Sequence, residues 1–487
     1  MKRILSITSY IIIIFTTFTF FSCIDKIYTD EDNGNSNNNN STNNDVINSM
    51  YIYPFGQENR NITAEITIQT NGSIDLTNIE TEIPALKYNK SWLFMLTQDD
   101  CKQCSFCSTW AAINGKPLSD QYYYDIRHLF ADDLPPDVYY LGKTLGVNDG
   151  TGKEVRFAFT TTLAPELGWM HANTVINKGY TNNYYRFFMK SGLIWDNVIE
   201  MLNYGNGIAF HDVNANDVNN ISDIYNHYII AQDSIKKNLS DRGCKTLAEP
   251  NGNKNYVYAA LNYNSIQTMT AQNGSVELIY PFNVTTDLNK VLLQRYFIEP
   301  EQIKTKILSE LQKSKEQRQA IHIGVHGTDR NWSNLLLWLN DNYGKDGDNS
   351  IWMPSLEEYY EYNYYRIHGT ITKTIINNNT IKITVQLPSD EYFYFPSITL
   401  NLKGITNSQI QSIVSNDAIT GLSYGNYSEG VMFNIDCRKF LLQHATHYVE
   451  QYELNRNTSN KKDALYFTNQ LKDSPKKIAL LNRINGK

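Results

Sequence analysis

Past its first two dozen residues the chain has no apolar run long enough to cross a bilayer. It also lacks an excess of positive charge: 43 Lys and Arg stand against 50 Asp and Glu, a net charge of -7. That balance argues against nucleic acid and anionic membrane surfaces as main partners. No internal repeat is visible. Cysteine is scarce, with six in 487 residues, and beyond Cys23 the five that remain (Cys101, Cys104, Cys107, Cys244, Cys437) are an odd number that leaves one thiol unpaired. The run "CKQCSFC" has a spacing at which thiolates bind zinc or an iron–sulfur cluster; in an oxidising envelope, disulfides or free structural thiols are the preferred reading. The length exceeds what one hydrophobic core serves, so two or three domains are expected.

What the chain has in abundance is aromatic, 34 Tyr and 20 Phe. Runs such as "QYYYD" (121–125) and "EEYYEYNYYR" (357–366) suit sugar-facing clefts, with amphipathic packing as the plainer reading. The start reads as an export signal over 1–22: "MKR", then an apolar stretch, then Ser22 before Cys23. A small residue before Cys is similar to a bacterial lipoprotein signal, which makes Cys23 the lipidation site and the lipid anchor its membrane partner; an uncleaved anchor helix is the alternative. Residues 23–49 are polar, acidic and Asn-rich, a tether that buries too little apolar surface to order itself. The expected location is the cell envelope, as an outer-membrane lipoprotein exposed at the surface.

Residues 50–89 read as a short β lead-in, with alternating "NITAEITIQT" and "SIDLTNIETEI". From 90 to 368 short apolar runs recur: "WLFML", "VRFAFTT", "GIAF", "KTLAE" and "IHIGVH". Helix-like stretches lie between them, at 189–205, 221–243 (Ser222 as N-cap, Gly243 as stop) and 301–317. Strand alternating with helix implies an α/β parallel sheet or barrel. Residues 369–487 read as a β-rich accessory domain, opening with a hairpin over 370–387 around an Asn-rich turn, followed by helices.

Polar residues stand at the ends of the apolar runs. Asp99 and Asp100 end the first, His211 and Asp212 follow "GIAF", "EPNG" (249–252) follows the fourth, and His322 and His326 belong to the last. In an α/β barrel such strand ends converge on one face. Carboxylate plus imidazole suits zinc or a similar divalent ion, a second carboxylate beside it suits a general base, and a His opposite suits a general acid. Alone, each is ordinary: Asp pairs fill turns, and a His after an apolar run is commonly a core residue.

The chain from about 86 to 366 resembles the polysaccharide deacetylase family, the NodB-homology domain. "TQDDC" (97–101) stands where the family has Thr-Phe-Asp-Asp-Gly. "GIAFHDVNANDVNN" is similar to its His-x-x-x-His segment, "LAEPNG" to its Arg-x-Pro-Tyr-Gly loop, and "IGVHGT" to its late strand ending in His. The resemblance implies a distorted (β/α) barrel of the glycoside hydrolase/deacetylase type and removal of acetyl groups from a glycan or acetylated polysaccharide. It implies Asp99 as catalytic base, Asp100 and His211 as ligands of zinc or a similar divalent metal, and His326 as catalytic acid. Four positions depart from the pattern. The second metal His falls on Ala215, the base-orienting Arg on Ala248, the loop Tyr on Asn251 and the first-motif Gly on Cys101. Asp212, Asn216, Asp217 or His171 are the candidates to replace the lost ligand. Two outcomes follow: a weak or altered hydrolase, or a glycan-binding lipoprotein without turnover.

Overall fold

Seven short parallel strands place the polar residues singled out above. β1 (Trp92–Gln98), β2 (Thr160–Thr162), β3 (Gly207–Ala209), β4 (Thr246–Ala248), β5 (Thr268–Ala271), β6 (Leu292–Gln294) and β7 (Ile321–Val325) are separated mostly by helices. The computed structural model describes residues 51–53, 61–72, 74–172, 176, 184–187, 192–212, 218–281 and 287–486, all within one compact unit, Ser49–Lys487. The export signal, Cys23, the tether, Ala215, Asn216 and Asp217 lie outside the described residues.

Every residue of β1 is buried, which explains its unbroken apolar run: a parallel strand covered on both faces has no solvent side on which to place polar residues. One sheet has the order β7-β1-β2-β3, with Ile351–Trp352 pairing the first two residues of β1; the other has the order β6-β5-β4. No continuous closed sheet runs round the described strands. The two sheets meet at both edges through single parallel bridges, Phe210 with Leu247 and Tyr296 with Ile323. Strands of three or four residues carry too few hydrogen bonds to extend a ladder across those edges. Because every pairing is parallel, the C-terminal strand ends share one side.

The lead-in strands complete sheets built from the C-terminal region. Ile62–Thr70 lies between Thr380–Leu387 and Ile410–Ser415, and Glu80–Glu82 pairs with Ser397–Lys403. The hairpin over 370–387 forms with Asn378 and Asn379 at its turn. The alternating burial of Ile62–Thr70 and Thr380–Leu387 turns Ile66, Ile68, Ile381, Ile383 and Val385 into a core shared with Leu400 and Phe433 of the other antiparallel sheet. The C-terminal helices Leu441–Leu454, Thr458–Gln470 and Pro475–Asn485 contribute to the same apolar cluster as β1.

Several sequence expectations change. The helix expected over 221–243 runs Ile221–Asn238, and Asn220, not Ser222, caps it by accepting the Ser222 N–H. The run "VRFAFTT" divides, its front pairing antiparallel with Gly146–Asn148 and its end forming β2. The Tyr-rich run 357–366 is no sugar cleft: Tyr359, Tyr360, Tyr362 and Tyr365 are each 1% exposed in the helix Leu356–His368. Among the described residues all five cysteines are buried and free, so no disulfide forms. Cys107 donates to the Tyr124 carbonyl at 3.0 Å, and burial pushes the Cys101 thiol up to about 12. Such thiols are poor metal ligands and poor nucleophiles.

One buried carboxyl carries a stability prediction. Burial first, and Asp463 after it, raise Glu200 to about 8. The unfolded chain releases this proton near the ordinary Glu value of about 4.3, whereas the folded chain holds it to about 8, so stability falls as pH rises between those values. Glu200→Gln should therefore stabilise the fold at pH 8, by up to about 4–5 kcal/mol, and leave it unchanged at pH 4, as read by urea unfolding at both pH values.

Candidate functional site

The end of β1 is held in register before it turns. The Asp99 N–H donates to the Val325 carbonyl at 2.8 Å, continuing the ladder with β7. Asp100 and Cys101 then adopt φ of +60° and +50°, a left-handed pair that reverses the chain. That conformation favours glycine, the residue the family uses at position 101, and each non-glycine residue in it costs on the order of 1 kcal/mol. Gln98, also buried, donates to Thr328 Oγ1 at 3.1 Å and so ties the end of β1 to the loop bearing His326.

Arg295 and His211 stand against the adjacent carboxylates. Asp99, 1% exposed, accepts from Arg295 Nη1 at 2.6 Å. Arg295, equally buried and just past β6, gives its Nη2 to the Glu249 carbonyl at 2.9 Å. His211 Nε2 lies 3.4 Å from Asp100 Oδ1 and 4.0 Å from Asp99 Oδ2. Its Nδ1 is 2.7 Å from the Ala248 carbonyl, which can only accept, so Nδ1 carries the proton and Nε2 faces the carboxylates. The His211 side chain holds Asp100 down to about 2, with Lys102, 3.5 Å from its Oδ2, and His326 adding to the effect. Burial opposes the charged form of His211, but Asp99 and Asp100 outweigh it and the imidazole is raised. His326 is exposed, its ring 5.2 Å from that of Phe297.

The remaining candidates are committed elsewhere. His322 is core: its Nε2 lies 2.8 Å from Thr97 Oγ1, and burial, with Arg295 adding, lowers it to about 3. Asp212 accepts from the Tyr256 hydroxyl at 3.1 Å, and His171 Nε2 lies 3.4 Å from the Trp195 indole nitrogen. Glu249 is buried beside Lys254 at 3.1 Å.

Arg295 is the residue the sequence reading missed. Ala248 leaves the expected loop position without a cation, and a guanidinium from a different strand end reaches the same carboxylate. Its signal, "VLLQR", is a short apolar run ending in a charge, shorter than the runs that marked the other strands.

A metal can be tested against this geometry. Two ligands of a tetrahedral zinc, each about 2.1 Å from the ion, lie roughly 3.4 Å apart. The Asp100–His211 pair already has that spacing, and the tautomer is the one a metal ligand needs. Among the described residues no group of three or more His, Cys, Asp or Glu side chains is arranged to hold a metal. Two donors fit, and the third position of the family pattern, Ala215, lies outside the described residues.

The parallel α/β scaffold thus carries a buried, cation-paired carboxylate beside an Asp–His pair. Residues 64–485 match the family model described as "Putative polysaccharide deacetylase", and the chain belongs to that family. No curated protein matches it.

Proposed function

We propose that the chain is a carbohydrate deacetylase, removing acetyl groups from a glycan by hydrolysis. The observation that carries this reading is the buried Asp99–Arg295 pair at 2.6 Å facing an imidazole in the metal-ligand tautomer. A purely structural ion pair would not need a second carboxylate and a solvent-reachable His beside it. Asp100 and His211 would hold a zinc-type ion, which when bound supplies Lewis acidity toward the acetyl carbonyl and activates water. Asp99, held in place by Arg295, takes the proton of the attacking water. The water oxygen bonds to the acetyl carbon, the bond to the sugar nitrogen or oxygen breaks, and His326 gives that leaving atom a proton.

The two sheets and their paired edge bridges support reading 90–368 as the distorted barrel, with 369–487 as the accessory domain. The sequence alone supports an envelope location through Cys23. A second reading, glycan binding without turnover, is favoured by the missing third donor among the described residues.

Metal content separates the two. The full chain loaded with zinc and dialysed should retain about one ion per chain, and His211→Ala should retain under a tenth of that, by elemental analysis. Wild-type protein with no more metal than His211→Ala would leave only the binding reading.

A further inference from the structure

We propose that Phe297 is a positioning residue that aims the His326 imidazole, an inference that rests on the deacetylase reading of the site. Residues two apart on a strand share a face, so His322, Gly324 and His326 lie in a row along β7 and its end. His322 points into the core and His326 stands at the mouth. Gly324, between them, has no side chain, and the Phe297 ring fills the space: a Cβ at Gly324 would lie 2.5 Å from Phe297 Cζ and 2.6 Å from Cε2. The ring is therefore pressed against the strand directly below His326, whose own ring it meets at 5.2 Å and 37°.

The backbone fixes this placement. The Tyr296 N–H donates to the His322 carbonyl and the Gly324 N–H to the Tyr296 carbonyl, both at 2.9 Å. These two bonds form the bridge that joins the two parallel sheets, so the residue after Tyr296 is set against β7 by the fold itself. The Arg295 guanidinium also lies over the Phe297 ring, at 5.0 Å. One side chain thus contacts both the cation that holds the base and the imidazole assigned as acid. A flat aromatic ring does this where a branched aliphatic of similar volume does not, because its face attracts a cation.

The test uses leaving groups. A sugar amine needs a proton as it departs, whereas 4-nitrophenolate leaves without one. Phe297→Leu should lower kcat on an N-acetylglucosamine oligomer about tenfold with little change in KM, and slow 4-nitrophenyl acetate hydrolysis less than about twofold. Phe297→Tyr, which keeps the ring, should restore the oligomer rate. Equal loss on both substrates, or a Leu variant as fast as wild type on the oligomer, would overturn the inference. His326→Ala guards the underlying reading: if it lacks the same split between substrates, the assignment of the acid is wrong. A readout independent of turnover is the NMR signal of the His326 ring protons. It should be displaced by the neighbouring ring current in wild type and in Phe297→Tyr, and not in Phe297→Leu; no displacement in wild type contradicts the placement.

Discussion

Replacing Arg295 with Met is expected to lower kcat/KM by about 10²–10³. Asp99 is 1% exposed, and Arg295 is its partner at 2.6 Å. Without that cation, the carboxylate loses the charge-assisted hydrogen bond that holds it in place to accept a proton from water. The same change leaves a buried charge uncompensated, which costs about 3–5 kcal/mol of stability at neutral pH. Arg295→Lys should be intermediate in rate, because an ammonium is a poor match for the two acceptors that the guanidinium fork meets, Asp99 Oδ1 and the Glu249 carbonyl. Steady-state kinetics and urea unfolding at neutral pH measure both effects.

Asp99→Asn and Asp100→Asn should fail in different ways although the residues are neighbours. Removing a general base costs on the order of 10²–10⁴ in rate. The Asn at 99 should show that loss in kcat with metal content unchanged, because His211 Nε2 stands nearer to Asp100 Oδ1, at 3.4 Å, than to Asp99 Oδ2, at 4.0 Å. The Asn at 100 should lose the metal and with it the rate, and excess zinc should restore part of the activity. Elemental analysis beside steady-state kinetics distinguishes the two. If both variants lose metal equally, the division of labour between the carboxylates is wrong.

The Asp pair, His211 and His326 were legible because each follows a conspicuous apolar run, and a parallel strand buried on both faces must be written that way. The fully buried β1 shows the rule in its plainest form. β5 and β6 escaped notice because they are short: "TMTA" is half Thr, and "LLQ" is three residues long. With β6 went Arg295, the cation that pairs with Asp99. Its role comes from a contact between positions 99 and 295, and no local pattern reports a contact across nearly two hundred residues. The sheet membership of Ile62–Thr70 was hidden for the same reason. Its alternation announced a half-buried strand, but its partners, Thr380–Leu387 and Ile410–Ser415, lie more than three hundred residues away. In the Tyr-rich run 357–366 the plainer reading, amphipathic packing, is the one that holds, although a tyrosine packed in a helix core and one facing a sugar look alike in sequence.

The most direct measurement is acetate released by the zinc-loaded full-length chain from N-acetylated and O-acetylated oligosaccharides, compared with the Asp99→Asn variant. Sustained release by wild type, with at most a hundredth of that rate from the variant, is the expected result. Release no faster than the variant's across both substrate classes, from protein that has retained its metal, would contradict a catalytic role for this site.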